Sequence, residues 1–145
     1  MVLVDANVLL DIVTDDPKWR SWSEENLLAV VETDQAAVNP IIYAELGAAY
    51  RTEAELDQAL SGWPVRRLPL PYEAAFPAAQ AFLRYRRRGG QRRSPLPDFY
   101  IGAHAVAAGL ILLTRDARRY RTYFPRVRLI SPETKGTRST ANRER

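Results

Sequence analysis

Residues 1–11 read MVLVDANVLLD, an apolar run that stops abruptly at Asp5. An uncharged, β-branched segment bounded by a polar residue predicts a strand buried on both faces, as in a parallel α/β sheet. Asp5 then lies at the carboxyl end of this strand, and open α/β sheets bind ligands in the crevice outside the strand ends. Asp is also a favoured helix cap, so Asp5 is equally consistent with capping a helix that begins near Asn7.

Length and composition limit the class of protein. The 145 residues are 46% hydrophobic, which predicts one domain with a sizeable core. No apolar run approaches the roughly 20 residues of a membrane span, and no leader pattern precedes the first strand, so we expect a cytoplasmic protein that does not bind membranes. The chain has no cysteine and a single histidine, His104. This composition excludes thiolate and multi-histidine metal sites, so any metal is held by oxygen.

Charge is distributed unevenly along the chain. Residues 1–83 carry 5 basic and 13 acidic side chains, whereas residues 84–145 carry 16 basic and 4 acidic ones. A basic surface attracts a polyanion because Lys and Arg release the counterions condensed on nucleic acid. A general preference for Arg over Lys contributes to the composition, but it does not explain why the basic residues cluster.

Short apolar segments alternate with amphipathic ones, which is typical of an α/β domain. The predicted strands cover residues 1–4, 36–39, 65–70, 110–113 and 127–130. The predicted helices cover residues 7–11, 41–50, 52–60, 72–88, 98–109 and 117–123, with one more starting at residue 17. The segment 131–145 has almost no apolar residues and is predicted to be a disordered polar tail.

Carboxylates stand at the ends of buried segments. Asp116 follows the second strongly apolar strand as Asp5 follows the first, and Asp98 lies in the first turn of a small-residue helix, on its core side. Glu45 interrupts the apolar helix 41–50, where it is either exposed on the outer face or held beside a compensating charge. A cluster of these carboxylates would be relieved of like-charge repulsion by a hard divalent cation, for which Mg²⁺ or Mn²⁺ fits best. An acidic pocket beside an arginine-rich rim indicates a nuclease.

Six arginines lie within residues 84–93, around Gly89-Gly90. A flexible glycine pair flanked by arginines is suited to gripping phosphates, and the predicted RNA contacts are Arg87, Arg88, Arg92 and Arg93. A solvated charged face that complements a helix C-terminus is the alternative. His104 is expected to be a satisfied surface or boundary residue.

Four motifs in order resemble the PIN-domain ribonucleases, and within them the VapC-type toxins of toxin–antitoxin pairs. They are VLVDANVLLD at the start, NPIIYAEL around Glu45, LPDFYIGAHA around Asp98 and LLTRD around Asp116. The resemblance implies a three-layer α/β/α PIN-like domain over residues 1–130, with a central, mostly parallel sheet of four to five strands. Its catalytic and metal-binding residues map here onto Asp5, Glu45, Asp98 and Asp116, with Asn7 and Thr114 in support.

The activity that follows from the resemblance is a metal-dependent endoribonuclease, with Mg²⁺ or Mn²⁺, that hydrolyses RNA by an activated water. We further expect a homodimer inhibited by a small cognate antitoxin. The predicted antitoxin contacts are Trp19, Trp22 and Tyr50, although the two tryptophans are also compatible with the core. A PIN-like RNA-binding or scaffold protein without catalysis is the alternative function.

Overall fold

The computed structural model describes residues 1–90 and 96–132. It confirms the α/β prediction, because five strands form one sheet in which every neighbouring pair is parallel. The sheet order is β3-β2-β1-β4-β5. The strands are β1 (Val2–Val4), β2 (Ala36–Val38), β3 (Val65–Arg67), β4 (Ile111–Leu113) and β5 (Arg128–Ile130).

Strand β1 lies in the middle of the sheet, as its apolar sequence predicts. Leu3 and Val4 are fully buried, and Leu3 pairs with Ala37 of β2 on one side and Leu112 of β4 on the other. Strands β2 and β3 lie on one side of β1, and β4 and β5 lie on the other. The direction in which strands are added therefore reverses next to β1. Ligands of open α/β sheets bind at such a reversal, outside the carboxyl ends of the strands.

Seven helices connect and flank the strands in the described parts of the chain. They are α1 (Ala6–Val13), α2 (Arg20–Thr33), α3 (Pro40–Gly47), α4 (Glu53–Leu60), α5 (Ala75–Arg87), α6 (Leu96–Ala108) and α7 (Arg118–Tyr123). Right-handed crossovers place α1 to α4 on one face of the sheet and α5 to α7 on the other, which gives three layers. Within these layers α1 contacts α2 and α3, and α6 contacts both α5 and α7, while α3 and α6 also contact each other.

Two helix starts follow from capping chemistry. The Asn39 side chain accepts a hydrogen bond from the Ile42 amide at 2.9 Å and so fixes the first turn of α3. The helix predicted from residue 17 begins instead at Arg20, because the Asp16 carboxylate accepts hydrogen bonds from the Lys18 and Trp19 amides and holds a separate turn there.

An aromatic cluster seats α7 on α6. Phe99 is fully buried, and its ring centroid lies 5.2 Å from that of Tyr123 and 6.3 Å from that of Phe124. Gly102 allows this close approach, since a Cβ atom there would lie 2.5 Å from the Phe124 ring. The contact brings the side chains of α7 beside the amino-terminal turns of α6.

The structure corrects the interpretation of His104, which is 2% exposed and therefore a core residue. The sequence pattern failed here because the imidazole follows a run of small residues whose helix is buried over most of its circumference. None of the helices in the described ranges is long and apolar enough to cross a membrane. The predicted contacts Arg92 and Arg93, and the predicted tail from residue 133 onward, lie outside the described residues.

Candidate functional site

Asp5 follows β1 and is only 4% exposed. Its Oδ2 atom accepts hydrogen bonds from Thr114 Oγ1 at 2.9 Å, Tyr120 Oη at 2.9 Å and Asn7 Nδ2 at 3.3 Å. These donors come from β4, α7 and α1, so three elements converge on one carboxylate oxygen. All three donors are neutral, and they orient the carboxylate without cancelling its charge.

The groups around Asp5 are themselves held in place. The Thr114 hydroxyl accepts hydrogen bonds from Asn7 Nδ2 and from the Asp116 amide, each at 3.1 Å, while it donates to Asp5. Asn7 Oδ1 accepts from the Arg115 amide at 3.2 Å. The loop after β4 is therefore tied to the start of α1, directly at the reversal of strand order. The supporting positions predicted for Asn7 and Thr114 thus lie against Asp5.

Glu45 projects from α3, and its Oε1 atom is buried without a hydrogen-bond partner within the described structure. Burial raises the pKa of this carboxyl to about 7, and repulsion from Asp5 and then Asp98 adds to the effect. A buried acceptor without a partner costs free energy, so this atom is suited to bind a cation or a proton.

Asp98 lies in the first turn of α6 and forms an ion pair with Arg119 of α7. Burial raises the pKa of Asp98, whereas the Arg119 guanidinium opposes the shift and the negative charge of Asp116 reinforces it. Arg119 therefore supplies positive charge at the acidic site from within the chain itself.

The electrostatics of Asp5 follow from the same neighbourhood. Burial raises the pKa of Asp5 to about 6, repulsion from Asp98 adds to it, and the hydrogen bonds from Thr114 and Tyr120 oppose it. Burial and the nearby carboxylates also raise the pKa of the Tyr120 hydroxyl well above its usual range, so it remains a donor. The carboxylates of Asp5, Glu45 and Asp98 thus face one another closely enough to repel.

Asp116 differs from the other predicted carboxylates because its side chain is exposed. It follows β4 at the rim of the crevice, where its charge acts on Asp98. Of the four acidic positions predicted from the sequence, Asp5, Glu45 and Asp98 lie close enough to repel one another and are at least partly buried, whereas Asp116 is exposed beside Asp98.

A buried pair of side chains connects the two helices that carry Glu45 and Asp98. Asn39 Oδ1 caps α3, so the Asn39 Nδ2 group donates to His104 Nδ1 of α6 at 3.0 Å. Burial lowers the pKa of His104, in keeping with a neutral ring that accepts at Nδ1. We infer no role in chemistry for this pair, which positions α3 against α6.

The remaining predicted contacts are dispersed. Arg87 and Arg88 are exposed at the end of α5, and Arg88 lies over the Tyr123 ring with its Cζ atom 5.6 Å from the centroid. Trp22 and Tyr50 pack against the core from α2 and from the residues after α3. Trp19 is half-buried beside Arg115, close to the loop that carries Asp116.

Sequence reasoning missed Tyr120, Arg119 and Asn39. The only local signal for Tyr120 was its position as a large residue in an amphipathic segment, which is also the pattern of a core residue. Arg119 is one of 19 arginines and stands out only through its pairing with Asp98. Asn39 was predicted only as the last residue of a strand, and its partner lies 65 residues away.

The residues of the crevice fit a hard divalent cation by their chemistry. All donors are oxygens, Glu45 Oε1 is buried without a partner, and the carboxylates repel one another. In the described parts of the chain, no group of three His, Cys, Asp or Glu side chains is arranged in ligating geometry. The ion pair of Asp98 with Arg119 is the observed arrangement that competes with such geometry.

Comparisons with known proteins agree with this architecture. A family profile described as PIN domain matches residues 2–125. A comparison with curated proteins finds no match.

Similar folds are found among solved structures. VapBC2 from Rickettsia felis, bound to a promoter DNA fragment, gives a TM-score of 0.68 at 16% identity over 90% of this chain and 98% of the other. A toxin–antitoxin complex from Klebsiella pneumoniae gives 0.65 at 22% identity over 92% and 98%. FitAcB from Neisseria gonorrhoeae gives 0.62 at 22% identity over 90% and 96%.

Proposed function

The chain belongs to the PIN domain family, and from this premise we propose that it is a metal-dependent endoribonuclease, the toxin of a VapBC-type pair. The observation that carries the proposal is Asp5, a buried carboxylate oriented by three neutral donors at the reversal of strand order. Its negative charge is suited to bind a cation.

The proposed ligands are Asp5, Glu45, Asp98 and Asp116, and the proposed cofactor is Mg²⁺ or Mn²⁺. When bound, a divalent cation would activate water and stabilise negative charge on the phosphate. Asn7, Thr114 and Tyr120 fix the Asp5 carboxylate for this purpose. Arg119 places a permanent positive charge beside Asp98, where it would neutralise charge that develops on the substrate.

Glu45 is proposed both to contribute to holding the cation and to take up the proton that water loses. Burial and then the charges of Asp5 and Asp98 raise the pKa of the Glu45 carboxyl, and its Oε1 atom is buried without a hydrogen-bond partner in the described structure, which suits it to accept a proton. In the proposed reaction the oxygen of water bonds to phosphorus, and the bond from phosphorus to the 3′ oxygen breaks. The proton that water loses passes to the Glu45 carboxylate, and bulk water supplies the proton that the departing 3′ oxygen takes up. The products are a 5′-phosphate and a 3′-hydroxyl.

The proposed partner is a small antitoxin. The proteins with similar folds include VapBC2 of Rickettsia felis and a toxin–antitoxin complex from Klebsiella pneumoniae, which supports a partner of this kind. The acidic first 83 residues of this chain complement a basic partner segment. Trp22 and Tyr50, with Trp19, remain the proposed contacts on this protein, and a homodimer in the cytoplasm is the proposed form.

One observation favours a protein without catalysis. Asp98 is paired with Arg119, and the described carboxylates are not arranged in ligating geometry. A PIN-like RNA-binding or scaffold protein would fit this arrangement. The Asp5→Asn variant distinguishes the two functions. If the protein is a nuclease, the variant still binds RNA but no longer cuts it. If the protein is a scaffold, neither wild type nor the variant cuts RNA, and both bind it equally.

The deciding experiment measures cleavage of end-labelled single-stranded RNA and RNA hairpins with Mg²⁺, with Mn²⁺ and with EDTA. Asp5→Asn, Glu45→Gln, Asp98→Asn and Asp116→Asn are expected to abolish cleavage. Glu32→Gln is the matched control, because Glu32 is an exposed carboxylate near the end of α2. Full activity in EDTA, 2′,3′-cyclic phosphate products, or wild-type rates in all four variants would overturn the proposal.

The partner is tested by co-expressing the neighbouring small reading frame and measuring the mass of the purified complex by light scattering. We expect a stable complex that contains two copies of this chain and does not cut RNA. Trp22→Ala and Tyr50→Ala should weaken it, with Phe76→Ala, an exposed aromatic on α5, as the control. An unchanged complex would place the antitoxin elsewhere.

A further inference from the structure

A cleft of about 530 Å³ lies on the side of α7 that faces Trp19. Its volume falls within the range of small-ligand sites, roughly 300–1,000 Å³. The cleft is adjacent to the acidic crevice, because Asp116 forms part of its wall. Its other main lining residues are Trp19, Arg115, Arg118, Arg121 and Thr122.

Trp19 is placed differently from its neighbour Trp22. Trp22 packs against the hydrophobic core, whereas Trp19 meets it edge-on, with ring centroids 6.1 Å apart and planes at 86°. Two cationic groups also lie over the Trp19 ring, with Lys18 Nζ at 5.2 Å and Arg115 Cζ at 5.7 Å from its centroid. Trp19 is therefore an aromatic side chain held at the wall of a basic cleft.

Arg115 is fixed beside this indole. Its Nε donates to the buried Asp11 carboxylate at 2.8 Å, and the Ser23 hydroxyl donates to the same Oδ2 atom at 2.8 Å. The guanidinium thus stands next to Trp19 in one orientation. Arginine planes and aromatic rings are the two kinds of surface on which proteins stack unpaired RNA bases.

The outer wall of the cleft supplies further positive charge. Arg118 and Arg121 are exposed and lie three residues apart, so they share one face of α7. Arg121 also donates to Ser131 Oγ at 3.1 Å. Aromatic groups interleaved with arginines are the combination that binds single-stranded nucleic acid without strong sequence preference.

We propose that this cleft binds one nucleotide of the substrate RNA next to the phosphate that is cut. The base packs against Trp19 and the Arg115 guanidinium, and the flanking phosphates contact Arg118 and Arg121. Asp116 joins this nucleotide site to the acidic crevice. The inference rests on the proposed ribonuclease function and adds the position of the substrate.

Fluorescence anisotropy of a labelled single-stranded RNA in EDTA measures binding without cutting. Trp19→Ala should weaken binding roughly tenfold through the loss of base stacking, and Trp19→Phe should restore most of it. Arg118→Gln with Arg121→Gln should weaken binding and lower the slope of log Kd against log salt by about 1.4, the value for two phosphates of a single strand. Arg66→Gln with Arg128→Gln is the matched control, since both side chains are exposed on edge strands and Arg128 begins β5.

An RNA series with one abasic position at a time identifies the bound base. Removing the base at one position beside the cleaved phosphate should weaken RNA binding by wild-type protein about as much as Trp19→Ala does. The same abasic RNA should bind the Trp19→Ala variant no more weakly than intact RNA does. If wild-type protein cuts RNA while the Trp19 and arginine variants bind it equally well, this inference fails alone. If wild-type protein neither binds nor cuts RNA, the proposed function fails with it. Variants that lose a co-expressed protein partner but keep RNA affinity would make the cleft a protein interface and overturn the inference.

Discussion

Asp5 and Asp11 are two buried carboxylates six residues apart, and their surroundings differ in one respect. Asp11 is 2% exposed and is neutralised by Arg115, with Ser23 as a further donor. Asp5 is 4% exposed, is held by neutral donors and faces other carboxylates. Burial alone therefore does not mark a functional acid. Within the described residues no cationic side chain forms an ion pair with Asp5, and this uncompensated charge is what supports the proposed role of Asp5.

The largest effect on stability is expected from breaking the neutralised pair. Asp11→Asn leaves the partly buried Arg115 guanidinium without its carboxylate and should lower the free energy of unfolding by about 3 kcal/mol. Urea denaturation of the purified protein measures this change. Asp15→Asn, which breaks an exposed pair with Arg20, is the control and should change little. Equal stability of both variants would remove the distinction between Asp11 and a surface acid.

A smaller loss is expected at the pair that positions α3 against α6. His104→Leu leaves the buried Asn39 Nδ2 group without its acceptor, which should cost about 2 kcal/mol. The same variant should also reduce Mn²⁺ binding, because Glu45 and Asp98 are carried by the two helices that this pair joins. Val106→Ala, at an exposed position of the same helix, is the control for stability and for metal binding. Unchanged metal binding would limit His104 to a packing role.

Removing the charge of Asp5 should raise the free energy of unfolding instead of lowering it. Because the pKa of Asp5 is raised to about 6, the native state holds its proton more tightly than the unfolded chain, and the carboxylate costs stability as pH rises from about 4 to 6. Asp5→Asn should therefore be as stable as wild type near pH 4 and more stable by about 1–2 kcal/mol near pH 8. Denaturation at several pH values checks this. A variant that is less stable near pH 8 would mean that the carboxylate serves the fold.

The smallest effect is expected at Arg119. Arg119→Gln removes the internal cation that pairs with Asp98, so Mn²⁺ should bind about three- to tenfold more tightly, a factor equivalent to about 1 kcal/mol. Arg66→Gln is the control because Arg66 is an exposed arginine on β3. Titration calorimetry measures both affinities. Weaker binding in Arg119→Gln would assign Arg119 to orienting Asp98 for the metal.

The parallel sheet could be predicted because its strands are short apolar runs that each end in a polar residue. Asp5, Glu45 and Asp98 could be proposed as a cluster because each interrupts or borders an apolar segment, and that conflict is visible in the sequence. The contacts that orient Asp5 could not be predicted, because Tyr120 lies 115 residues away and its local sequence is also that of a core aromatic residue. His104 was misjudged for the same reason, because a buried polar pair is visible only after both helices are placed.

The most direct measurement is a calorimetric titration of Mn²⁺ into wild-type protein and Asp5→Asn, repeated in buffers of different ionisation enthalpy near pH 6.5. The account predicts that wild-type protein binds the cation and releases protons, because the pKa values of Asp5 and Glu45 are raised to about 6 and about 7. Asp5→Asn should bind much more weakly and release fewer protons. Equal binding by the two proteins, or binding by neither, would contradict the assignment of this crevice as a cation-dependent catalytic site.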